Sequence, residues 1–108
     1  MAFLKTWIAI EILQMPDTNI APIRDALSEI YNMKKNEVEE KFNVGRLFRL
    51  RGRIVHDGEN INITSLFQSY IQFLFIDLLY WNLKIDNRKM ALSLVEKSKL
   101  ELLALSKK

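Results

Sequence analysis

The chain has no cysteine among its 108 residues. Disulfides and thiolate metal sites are therefore excluded, and a cytoplasmic setting is expected. Glycine and proline are scarce, with 3 and 2 residues. An all-β domain needs frequent tight turns, so this scarcity argues against one. With 1 histidine, a zinc site would have to be completed by carboxylates. No apolar run is clean enough to span a membrane. The greasiest, residues 66–83, is interrupted by Gln68, Ser69, Gln72, Asp77 and Asn82, which are costly in lipid. No secretory leader is expected from the opening residues. The apolar start carries Lys5 and Glu11 and lacks a small-residue cleavage site. Without secretion, the glycosylation-like Asn62-Ile63-Thr64 is a chance match. No Walker loop, dinucleotide fingerprint or nucleophile elbow is present.

What remains is ordinary globular material, 49% hydrophobic and 27% charged. The net charge of +3 permits RNA contact without demanding it. The length suits one domain, residues 1–108. A helix that begins almost at the first residue is also what a domain cut from a longer protein would show.

Helical periodicity predicts five helices and an all-α fold, an antiparallel bundle of four to five helices. The first covers residues 3–14, with Phe3, Leu4, Trp7, Ile8, Glu11 and Ile12 on one face, and Pro16-Asp17-Thr18 ending it. The second covers 22–32, with Pro22 in its first turn and a stripe of Ile23, Leu27 and Ile30. The third runs from about 36, through Gly45, to His56, with Gly58 as its C-cap. The fourth covers 65–83, capped by Asn62 or Thr64; a short hairpin over 61–64 stays open. The fifth covers 88–106, begun by Asp86-Asn87, with Leu92, Val95, Lys99 and Leu102 in register. The aromatic set Phe67, Tyr70, Phe73, Phe75, Tyr80 and Trp81 reads mostly as core, with part of it free to cover a subunit seam.

The third helix carries the chemistry. At about 100° per residue, Leu47, Phe48, Leu50, Ile54 and Val55 form one apolar arc, and Arg46, Arg49, Arg53 and His56 fall opposite. That basic stripe is either a solvated face or a track for a phosphate backbone. Arg51 lies inside the apolar arc and needs a carboxylate. Glu11 and Asp77, each set in an apolar stretch, are the two available partners. Either the arginine is buried in a structural pair, or it belongs to a shielded site, or its arc faces another subunit. His56 is the one side chain here suited to moving a proton near neutral pH. Asp57 stands beside it.

Arg51-Gly52-Arg53-Ile54-Val55-His56-Asp57-Gly58 resembles the R-x4–6-H motif of the HEPN superfamily (higher eukaryotes and prokaryotes nucleotide-binding domains). The preceding Phe48-Arg49-Leu50-Arg51 is similar to the approach to that motif. The run from Phe3 to Glu11 resembles the Glu-bearing helix that opens the ApeA-like HEPN core. The resemblance implies a dimer in which two motifs form one cleft. In active members it implies metal-independent RNA cleavage with no cofactor, leaving a 2′,3′-cyclic phosphate. Other members bind nucleotides or serve as docking modules. His56 and Arg51 would be the catalytic pair, with Arg46, Arg49 and Arg53 on the RNA and Glu11 and Asp57 orienting the site. A toxin or antiviral effector is the implied setting, with an antitoxin or a fused sensor domain as partner and no membrane. Two departures stand out. Gly52 replaces the polar residue common after the motif arginine. An undistorted helix also sets Arg51 and His56 about 140° apart, so Arg49, at an x6 spacing, is an open alternative.

Overall fold

The computed structural model describes residues 2–15, 19–58, 61–87 and 89–105. Among the described residues six helices follow in order: α1 Ala2–Gln14, α2 Ala21–Tyr31, α3 Lys35–Phe42, α4 Val44–His56, α5 Ser65–Leu83 and α6 Leu92–Leu105. The described residues contain no strand, and 61–64 is coil leading into α5. No described helix is long and apolar enough to cross a membrane.

The extra helix comes from a break that periodicity hides. Asn43 adopts φ 55 and ψ 45, the left-handed region that asparagine tolerates better than most residues. Its N–H donates to the Glu39 carbonyl at 2.9 Å, closing α3, and its carbonyl accepts from Leu47 N–H at 3.1 Å, opening α4. The expected single helix over 36–56 is therefore two. Four helix pairings follow from side-chain contacts. Arg24–Glu39 and Ser28–Met33 run α2 and α3 in opposite directions. Tyr31–Asp77 and Glu29–Trp81 oppose α2 and α5. Asp77–Ala91 and Thr64–Glu101 oppose α5 and α6. Thr6–Gln68 and Gln14–Asn82, in contrast, place α1 alongside α5 in the same direction. The added change of direction at Asn43 accounts for this departure from a fully antiparallel bundle.

α5 sits centrally, against α1, α2 and α6. Phe67, Tyr70, Ile71, Leu74 and Leu78 form its buried stripe, whereas Phe73, Phe75 and Trp81 are only partly covered. On α1, Phe3, Trp7 and Ile10 are buried, while Ile8 and Ile12, assigned to the same face from the sequence, are exposed. α1 is apolar nearly all round, so periodicity alone cannot choose its inner side. On α6 the inner residues are Val95, Ser98 and Leu102; Leu92 is exposed. α2 has its proline in the first turn and buries Ile23, Leu27 and Ile30 as expected.

The remaining boundaries have clear causes. Thr64 is the N-cap of α5, its hydroxyl accepting from Phe67 N–H at 3.2 Å. Gly58, at φ 67, follows the Asp57 C-cap of α4. α6 begins at Leu92 rather than 88, because its entry is capped from another helix. The Asp77 carboxylate accepts from Met90 N–H at 2.8 Å and Ala91 N–H at 3.0 Å. The Asn87 side chain donates to the Asp77 carbonyl and accepts from Lys89 N–H. The assigned helix stop at Pro16-Asp17-Thr18, and Arg88 and Ser106 at the ends of the expected fifth helix, lie outside the described residues.

Candidate functional site

α4 presents two different sides. Its helix runs unbroken to His56, and Asp57 N–H still donates to the Arg53 carbonyl at 3.2 Å. Arg51 and His56 are thus about 140° apart around the axis, whereas Arg49 and His56 differ by about 20°.

On the first side, Arg51 Nε donates to Glu11 Oε1 at 3.3 Å, with both side chains mostly covered. Of the two carboxylates open to it from the sequence, Glu11 is the partner. Asp77 is engaged elsewhere: besides capping α6 it accepts the Tyr31 hydroxyl at 2.5 Å. Burial, and then this bond to Asp77, push the Tyr31 phenol well above its usual range. On the same two helices, Ile8 and Ile12 of α1 and Val55 of α4 are exposed apolar side chains, Ile12 being 82% exposed.

On the second side, Arg49 and His56 are exposed. Asp57 is also exposed and ends the helix. Gly52 lies one turn before His56; a Cβ there would come no nearer than 3.9 Å to the imidazole Cδ2. The expected basic stripe is divided between two tasks. Arg53 Nη1 donates to the Leu105 carbonyl, tying it to the end of α6. Arg46 and Arg49 instead line a concavity of about 490 Å³ between α4 and α6.

Two residues of that concavity were not legible as site residues. Arg24 of α2 and Lys99 of α6 also line it, as do Glu39 and Glu40 of α3. Glu39 is saturated: it accepts from Arg24 Nε at 2.8 Å and, with both oxygens, from Gly45 N–H at 3.0 Å. Glycine at 45 permits this approach, since a Cβ would fall 3.1 Å from the Arg24 guanidinium and 3.2 Å from the Glu39 carboxylate. The only sequence trace of the arrangement is the Asn43-Val44-Gly45 interruption of the helical pattern. Beneath it, the fully buried Tyr70 donates its hydroxyl to the Phe42 carbonyl at 2.9 Å. Burial, reinforced by the nearby charge of Glu39, pushes that phenol far above its usual range.

The structure therefore brings Glu11 to Arg51 and leaves Arg49, His56 and Asp57 on solvent. It does not gather Arg51 and His56 on one face of one chain. No group of three or more potential metal-ligating side chains occurs among the described residues. Comparison of the chain with family models, with curated proteins and with solved structures returned no match.

Proposed function

We propose that this chain is a metal-independent endoribonuclease of the HEPN type, working as a dimer on RNA. The observation that carries the reading is the exposed end of α4, where His56 and Arg49 share one side of a continuous helix. His56 takes the proton of a ribose 2′-hydroxyl, or returns one to the leaving 5′-oxygen. The oxygen so activated attacks the adjacent phosphorus, the 5′-oxygen leaves, and a 2′,3′-cyclic phosphate remains. An arginine must balance the charge that builds on the phosphoryl oxygens. Within one chain, the shared side of α4 supports Arg49 in that role. Arg51, on the other side, reaches the same phosphate only from a second copy. The exposed Ile8 and Val55, one helical turn from Glu11 and Arg51 respectively, support such a contact.

Gly52 supports the reading. A helix-interior glycine costs about 1 kcal/mol relative to alanine. No side chain crowds position 52 closely enough to require it. The open space it leaves lies against His56, where a ligand would need to approach.

A second reading rests on the Glu11–Arg51 pair. It commits the motif arginine to α1 and suits a dimerisation or RNA-binding module without turnover.

Incubation of the protein with mixed RNA in EDTA separates the two. Cleavage by the wild type, leaving cyclic-phosphate ends, and its loss in His56→Ala support the nuclease. Arg49→Ala and Arg51→Ala then show which arginine serves it. Equal cleavage by wild type and His56→Ala overturns it, and a folded dimer that binds RNA without cutting it supports the module.

A further inference from the structure

The concavity between α4 and α6 sets four cationic side chains, Arg24, Arg46, Arg49 and Lys99, against two acids, Glu39 and Glu40. Glu39 is spent on Arg24 and Gly45 N–H, which removes one cation and one acid from the balance. Leaving Arg46 out of the balance, Arg49 and Lys99 face one remaining acid of the lining, Glu40, so the hollow retains an excess of positive charge. Lys99 and Arg49 form no ion pair with any described acid. These cations come from two helices and converge on one hollow, unlike a solvated stripe along a single helix.

We infer that this hollow holds phosphates of single-stranded RNA beside the bond to be cut, with Lys99 as a positioning residue contributed by α6. The identity of the ligand rests on the nuclease reading above; the excess of positive charge in the hollow does not. The direction of the strand follows from α4. Arg46 and Arg49 sit at the hollow, and His56 lies seven residues further on, about 10 Å along the axis and on the Arg49 side. A strand seated in the hollow therefore passes from Arg46 and Lys99, over Arg49, to the imidazole. Arg53 falls between Arg49 and His56 along α4, and its guanidinium is bonded to the Leu105 carbonyl at the end of α6.

The test is binding of a fluorescent single-stranded RNA with 2′-O-methyl riboses, which cannot be cleaved, measured by anisotropy in EDTA over a range of salt. Each phosphate contact to a single strand contributes about 0.7 to the slope of log affinity against log salt. Lys99→Gln is expected to reduce the slope by about that amount and to weaken binding at least about threefold at low salt. Lys97→Gln is the control: it removes the same charge from an exposed position on α6 that does not line the hollow. It is expected to bind as the wild type does. An unchanged affinity in Lys99→Gln, an equal loss in Lys97→Gln, or no binding by the wild type overturns the inference. Because the probe cannot be cut, the two proposals fail separately. A strand held through Lys99 by a protein that never cleaves RNA leaves the hollow standing and removes the nuclease. Cleavage that needs His56, with strand binding indifferent to Lys99, does the reverse.

Discussion

Asp77 and Glu11 are alike in sequence, each a single acid set into a greasy helix, and the structure treats them in opposite ways. Asp77 is 1% exposed and accepts from Tyr31, Met90 and Ala91. Three donors from two other parts of the chain meet one carboxylate, so the acid fastens α5 to the end of α2 and starts α6. Glu11 makes one contact to Arg51, at 3.3 Å, between side chains that are 17% and 23% exposed. That is longer than the 2.7–2.9 Å usual for a charge-assisted bond. A buried acid with every partner in place is scaffold. A pair held by one long contact is less firmly committed to its place.

Removing the carboxylate from position 77 is the most direct way to break this contrast. Asp77→Ala leaves the buried Ala91 N–H and the half-buried Met90 N–H and Tyr31 phenol without their acceptor. Each orphaned group costs about 1–3 kcal/mol, and since the three act as one network the total expected is about 3–5 kcal/mol. Against a stability of about 5–15 kcal/mol this is close to unfolding. A urea titration reads it as a large fall in midpoint with little change in slope. A loss under about 1 kcal/mol would mean that water replaces the carboxylate, and Asp77 would no longer differ from Glu11.

Arg51→Ala sharpens the other half of the comparison. An exposed ion pair is worth about 0–1 kcal/mol, and breaking a buried one costs about 3–5. The intermediate exposure and single long contact place this pair near the low end, at about 1 kcal/mol. The variant is therefore expected to remain folded, with a urea midpoint only slightly below the wild type. RNA cleavage and dimer mass measured on that folded variant then report function rather than collapse. A loss as large as that of Asp77→Ala would show that Arg51 is scaffold too.

The same contrast explains what could be read in advance. Helical class, the α2 stripe and the end of α4 near Gly58, one residue past the Asp57 cap, are local and were legible, and of the two candidate caps for α5 Thr64 is the one used. Asp77 and Glu11 were conspicuous as misplaced acids, but Arg51 lies 40 positions from Glu11, and Tyr31, Met90 and Ala91 lie 46, 13 and 14 positions from Asp77, in other elements. Arg51 had two carboxylates to choose from, and only packing decided between them. The start of α6 was misjudged because its cap is supplied by α5 rather than by its own leading residues. The inner side of α1 was read in part: Phe3 and Trp7 are buried, but Ile8 and Ile12 are exposed, because both sides of the helix are apolar. Arg24 and Lys99 gave no sign, since a lone cation on a helix reads as solvated until another helix brings more beside it. Asn43 was a local signal passed over: its left-handed backbone splits one expected helix into two and, with Gly45, shapes the hollow.

The smallest expected effect lies between these regions, at Gly52. Scaffold positions are filled by residues that raise stability, and a mid-helix glycine lowers it. Nothing packs against position 52 more closely than 3.9 Å, so an alanine methyl fits without displacing a neighbour. If α4 were only scaffold, Gly52→Ala would be a simple improvement of about 0.5–1 kcal/mol, visible as a higher urea midpoint. The functional reading of α4 expects the same gain in stability together with a loss of RNA cleavage, because the methyl fills the space beside His56. Stability and cleavage rising together would place Gly52 with the scaffold and take away one support of the site. Stability rising while cleavage falls would mark position 52 as space kept open for a ligand, since no packing defect could produce that pair of changes.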